Sequence, residues 1–403
     1  MNFKARLITH ELFSGVTFGI FLAVQGMFIL EKGVEVWQIG LLFGAVVVST
    51  AAFELPFGAL ADIHGRIKVY RISRVVVLLA LASAIFAFNF WFLLGVMVLL
   101  GLAEALNSGT IDAWYVEQIK TDGNGEKLQS YISTFQASMA AGLTVGAIAG
   151  GYIPNILPAI DGFPPTTWNL IVAASLGTTH LLLTPYLFSE GESRTQTANK
   201  HELVKQIGAA VRFSITHPII RDLLLVGATL GLAMVIIEAY WQPRLIQIVG
   251  EPSYAVLGWA TAGYFAMAII GPMLISFIAD KFNASPAVQV KVLPFILALG
   301  MYVIAIQTTL GPFLAAYMAM MLFISMFNPP AMTMLNNETS DDIRSTMQSI
   351  FSLVLRGGGA ISAFVFSGLI KRWDITTVWQ MIAVIVLIVA LFRVIRSRKP
   401  SAE

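Results

Sequence analysis

Five charged side chains fall inside stretches that are otherwise apolar: Glu54, Glu104, Asp112, Glu238 and Arg356, with His180 as a further titratable group. Placing an Asp or Arg at the centre of a membrane helix costs about +2.5 to +3.5 kcal/mol, so each should face protein or a water-filled cavity and have a partner or a task. Glu104, Ser108 and Asp112 follow at i, i+4 and i+8, which puts them on one face of a helix, with Asn107 beside it. At mid-depth Glu104 can bind substrate or exchange a proton. Asp112 lies nearer the helix end, where with Glu117 it can hold Arg66. A structural, hydrogen-bonded carboxyl is the alternative for either. Glu238 either serves a cavity or pairs with Arg244, and both readings stand.

These groups need membrane helices to position them. Hydrophobic residues make up 57% of the chain and charged ones 12%, too few to cover a water-facing surface. The net charge of +2 is spread loop by loop, which does not suggest nucleic acid, and the absence of cysteine removes disulfides and thiolate chemistry. A bilayer is crossed by about 20 apolar residues in a helix. The first half supplies such runs at Leu12 to Leu30, Trp37 to Ala61, Ile72 to Phe88, Phe90 to Val116, Leu128 to Ile153 and Thr167 to Phe188. The second supplies Ile219 to Tyr240, Tyr254 to Ala279, Val292 to Thr308, Pro312 to Leu335, Ile343 to Ile370 and Thr376 to Ile395. The stretch Met1 to His10 is short and basic, and the apolar run after it is too long for a cleaved signal and lacks a small-residue cleavage site, so that run is taken as the first span.

Between the halves lies a polar stretch. In it Leu203, Ile207, Ala210 and Val211 recur at helical spacing, predicting an amphipathic helix on the cytoplasmic surface. For Ser189 to Asn199 a disordered linker is an equal reading. The expected organisation is an N-terminal bundle over 1–188, a linker with its helix over 189–217 and a C-terminal bundle over 218–403. With both termini cytoplasmic, the inside segments gather most of the Lys and Arg, while Lys32, Arg244, Lys371 and Arg372 fall outside, which supports that orientation.

The turn after the second span is the most specific motif. Gly58, Leu60, Ala61, Asp62, Gly65, Arg66 and Lys68 resemble the loop 2–3 signature of the major facilitator superfamily, with departures at Ile63 and Ile67. Here the glycines let helices approach and turn, and Asp62 can accept from Arg66. The resemblance implies an all-α membrane fold of twelve helices in two pseudosymmetric six-helix bundles, working by alternating access around a cavity lined by helices one, four, seven and ten. It places Gln25, Glu238 and Asn328 among candidate cavity groups, and implies that the second and eleventh helices meet between the halves. On that basis Glu54 and Arg356 are expected to form an ion pair latching the halves, with Asp62, Arg66 and Asp112 as an inside gate. The run Gly142, Gly146, Gly150, Gly151 permits close packing and is also similar to the superfamily's exporter motif, although Ala147 stands where its proline would be.

No phosphate-binding loop of Walker type is present, and Gly357, Gly358 and Gly359 follow no strand, so an enzyme is not expected. The histidines lack metal-ligand spacing and no cofactor is expected, the proton gradient being the energy source. The expected function is export of a small amphipathic drug or metabolite by proton antiport. A nutrient importer or uniporter, a lipid transporter, and a membrane receptor or scaffold are the alternatives. A monomer in a bacterial cytoplasmic membrane is expected, with the substrate, protons and the bilayer as partners.

Overall fold

The computed structural model describes residues 3–121, 128–188, 200–251, 253–340 and 343–397, and among them there is no strand. The first helices are α1 (Phe3–Leu22), α2 (Gln25–Glu31), α3 (Gln38–His64) and α4 (Arg66–Ile85). Next come α5 (Phe90–Asn107), α6 (Ile111–Thr121), α7 (Leu128–Ile156), α8 (Thr167–Leu187) and α9 (Lys200–Thr216). The remainder are α10 (Pro218–Val249), α11 (Tyr254–Phe282), α12 (Pro286–Ala305), α13 (Leu310–Ser325), α14 (Asn328–Glu338), α15 (Arg344–Ile361), α16 (Ser367–Arg372) and α17 (Ile375–Ser397). A π turn at Ser362–Phe366 joins α15 to α16.

Among the described residues, eleven helical stretches are long and apolar enough to cross a membrane. The expected third span is missing from that set because α4 starts at Arg66, directly after Gly65, and so carries Arg66, Lys68, Arg71 and Arg74. The basic residues expected in a loop are therefore helical. Gly65 makes this abrupt turn possible: its φ of +95° is strained for any residue with a Cβ, and its N–H closes α3 on Ala61 O at 3.0 Å. Gly58 has no such role, since a Cβ there would meet nothing within 4 Å. The amphipathic helix predicted between the halves is α9, where Ala210 and Ser214 are buried and Ser214 Oγ lies 3.5 Å from Met347 Sδ of α15. The linker expected over 189–199 lies outside the described residues.

The chain divides into two packed units, residues 1–196 with 250–266, and residues 197–249 with 267–403. In the first, α1 and α7 touch along their backbones. A Cβ on Gly15 or Gly19 would run into the α7 backbone, and one on Gly142, Gly146 or Gly150 into the α1 backbone between Leu12 and Ile20. Lipid supplies no hydrophobic drive between helices, so such close van der Waals contact is what holds them. The second unit uses the same device between α10 and α15, where Gly231 faces Leu355 O and Gly358 faces Ala228 O. Glycine–serine contacts recur too: Gly101 of α5 on Ser49 of α3, and Gly271 of α11 on Ser325 of α13. Thr50 Oγ1 adds a bond to Gly101 O at 3.2 Å, and Ser325 Oγ one to Met267 O at 2.8 Å.

Gly146→Leu should therefore prise α7 from α1 at a cost of about 1–3 kcal/mol. Gly58→Leu should be tolerated. Thermal unfolding of the two variants in detergent, followed by size-exclusion chromatography, measures the difference.

Candidate functional site

The first unit contains a cavity of about 500 Å³ with walls from α1 to α8 and Phe265 of α11. Much of the wall is apolar, including Phe18, Phe21, Leu78, Leu100 and Phe135. Into it also project His10, Glu11, Gln25, Tyr70, Arg74, Glu104, Asn107, Asp112 and His180.

At its polar part a chain of hydrogen bonds joins α1 to α4. His10 Nδ1 lies 2.6 Å from Glu11 Oε1, and His10 Nε2 lies 2.6 Å from Tyr70 OH. Tyr115 OH of α6 approaches the same Nδ1 at 3.2 Å. The rings of His10 and His180 are 4.6 Å apart, and His180 is buried with no hydrogen-bond partner for its Nε2 among the described residues. Arg74 is buried and stacks its guanidinium over Tyr70 at 4.9 Å and Phe18 at 5.3 Å. Cation–π contact offsets part of the cost of removing that charge from water.

The geometry permits two protonation arrangements. With Glu11 ionised, neutral His10 donates from Nδ1 to the carboxylate and accepts at Nε2 from the Tyr70 hydroxyl. With Glu11 protonated, the carboxyl donates to Nδ1, and the other tautomer donates from Nε2 to Tyr70. A proton can thus arrive on Glu11 while the imidazole only exchanges tautomers.

The structure brings Glu104, Asn107, Asp112 and Gln25 to this cavity, but the shared helical face expected for Glu104, Ser108 and Asp112 is broken. α5 ends at Asn107, Gly109 takes a φ of +66°, and α6 begins at Ile111. Ser108 instead turns to α3, where its hydroxyl donates to Glu54 Oε1 at 2.7 Å. The inside gate also differs. Arg66 lies 3.5 Å from Asp62 and 3.1 Å from Glu117, while Asp112 lines the cavity. Five residues along a helix rotate the side chain by roughly 140°, so Asp112 and Glu117 face different ways. Glu238 and Asn328 are exposed in the second unit, and Arg244 is bonded to Gln307 O at 2.9 Å and to Gln247 at 3.4 Å. Arg356 lies half-buried on α15 of the second unit.

Sequence reading passed over His10, Glu11, Tyr70 and Arg74 because it sought uninterrupted apolar runs. α1 starts at Phe3, well before the apolar run at Leu12, and α4 starts before Ile72. A signal was present: Leu7, His10, Glu11 and Ser14 fall at i, i+3, i+4 and i+7, and all four are buried. A second missed carboxylate, Glu31, accepts from Tyr254 OH at 2.5 Å and from Thr166 Oγ1, tying α2 to the starts of α8 and α11.

The profile of the Major Facilitator Superfamily matches residues 11–252 and 223–403. An MFS-type transporter, YxaM of Bacillus subtilis (strain 168), is 23% identical over 388 residues, covering 93% of this chain and 91% of that protein. A homologue of the multi-drug resistance efflux pump PmrA from Lactococcus lactis subsp. lactis (strain IL1403) is 28% identical over 161 residues, 40% of this chain and 37% of that one. Among solved structures, the nucleoside transporter NupG aligns with a TM-score of 0.79 at 14% identity, covering 99% of this chain and 100% of that one. A bacterial homologue of the human lysosomal transporter Spinster, in an inward-facing and unoccupied conformation, aligns with a TM-score of 0.77 at 16% identity, covering 98% and 96%.

The pairing of Arg66 gives a direct check. Arg66→Glu should lose about 0.2–1 kcal/mol of stability, the usual worth of an exposed pair, and Glu117→Arg in the same chain should restore it. Asp112→Arg should not. A double-mutant cycle on thermal midpoints separates the two.

Proposed function

From a chain that belongs to the Major Facilitator Superfamily, and is therefore a multi-pass membrane transporter and not an enzyme, we propose a secondary transporter that exports a small amphipathic compound in exchange for protons. The observation that carries the proposal is the Glu11–His10–Tyr70 chain set in the wall of a largely apolar cavity. Glu11, Glu104 and Asp112 line that cavity against one guanidinium, Arg74. With Glu11 ionised the wall favours a compound carrying positive charge on an apolar body, and the aromatic rings receive that body. Protonation of Glu11 removes one negative charge and weakens the hold, so substrate and proton occupy the cavity in turn. A ligand shifts an equilibrium only through its differential affinity, and this exclusion supplies it. The efflux-pump homologue and the glycine run of α7 support the outward direction.

In this proposal α4 is the twelfth crossing helix, with Arg74 buried against Tyr70 and Phe18, and both termini are cytoplasmic. Asp62, Gly65 and Arg66 with Glu117 form the inside switch. The protein acts as a monomer in a bacterial cytoplasmic membrane, with no cofactor beyond the proton gradient.

The test is transport in proteoliposomes under an imposed pH gradient, with lipophilic cations, neutral drugs and acidic metabolites offered in turn. Cations should exchange with protons in the wild type. Glu11→Gln should abolish that exchange while still allowing labelled compound to equilibrate. Proton flux driven by acidic metabolites instead would make Arg74 the recognition group and overturn the reading.

A further inference from the structure

The second unit has a separate crevice of about 550 Å³ where four spans end. α10 and α12 begin there at Pro218 and Pro286, the span through α13 and α14 closes there at Glu338, and Arg393 of α17 sits just before the end of its span at Ile395. We propose that this crevice binds the phosphate of an anionic phospholipid headgroup, a site separate from the transport cavity.

Arg393 is the anchor. It is 7% exposed, donates from Nη1 to Val290 O at 3.3 Å, and has no partner for Nε among the described residues. Arg221, whose Nε is likewise without a partner, and Lys291 line the same crevice. The starts of α10 and α12, helices of 32 and 20 residues, add the positive ends of two helix dipoles. The opposing acids are Asp222 and Glu338, and Glu338 lies 3.7 Å from His217. Three cations against two carboxylates leave one formal positive charge with His217 neutral, which a monoanionic phosphodiester balances.

Depth selects the bilayer as the source. Span ends lie at headgroup level, where basic pockets between helices take anionic lipids. Ile219, Val288 and Val292 are exposed on α10 and α12, apolar surface on which an acyl chain can lie.

Native mass spectrometry of delipidated full-length protein tests the assignment, with phosphatidylglycerol, phosphatidylcholine, glycerol 3-phosphate and inorganic phosphate added separately. Phosphatidylglycerol should bind, phosphatidylcholine should not, and the two soluble phosphates should bind far more weakly. Lys291→Gln and Arg221→Gln should each weaken the lipid adduct about tenfold, the equivalent of one charge-assisted contact, and Lys291→Arg should keep it. Arg393→Gln also removes the tie to Val290, so the decision rests on the other two. Equal lipid retention by wild type, Lys291→Gln and Arg221→Gln would overturn the proposal, as would tight binding of the soluble phosphates without lipid.

Discussion

A hydrogen-bonding group inside hydrocarbon has to find its partner within the protein, and that constraint decides where α1 and α4 meet. Glu11 and His10 are both buried on α1. Tyr70 on α4 and Tyr115 on α6 supply the missing partners, and Phe188 closes over the imidazole at 4.7 Å. Gly15 and Gly19, one and two turns along α1 from Glu11, seat against the α7 backbone and fix the helix against rotation. Between these two contacts the carboxylate has one direction left, toward the cavity.

The same constraint explains Arg74. A guanidinium two turns into a helix is too costly to face lipid, so it lies inward against Tyr70 and Phe18. Its charge shares the cavity with three carboxylates. Neutralising one of them changes the balance more than it would in water, because Coulomb interactions strengthen as the effective dielectric falls. Protonation of a single residue can thereby alter affinity for a charged amphiphile, which is the physical basis assigned to exchange.

Much of the architecture was legible in the sequence. Eleven of the expected spans are helices with membrane-crossing length, and α9 covers the stretch read at helical spacing, with Ala210 buried and Val211 exposed. The loop signature around Asp62 and Arg66 led to the family that the profile match shows. Less was legible at the site, for two reasons. Apolar scanning truncates helices at their first charge, which hid His10, Glu11 and Arg74. Extrapolating helical spacing across Gly109 assumed a continuity that its left-handed backbone interrupts, so Ser108 parted from Asp112. His10 and His180 looked scattered because their proximity arises only when α1 and α8 pack.

The central claim is that Glu11, and not Glu104, carries the exchanged proton. Difference infrared spectroscopy on the reconstituted protein, recorded on adding a transported compound, reports it most directly. The account predicts a protonated-carboxyl band that responds to the compound, persists in Glu104→Gln and disappears in Glu11→Gln. A band that survives in Glu11→Gln and is lost in Glu104→Gln would contradict it.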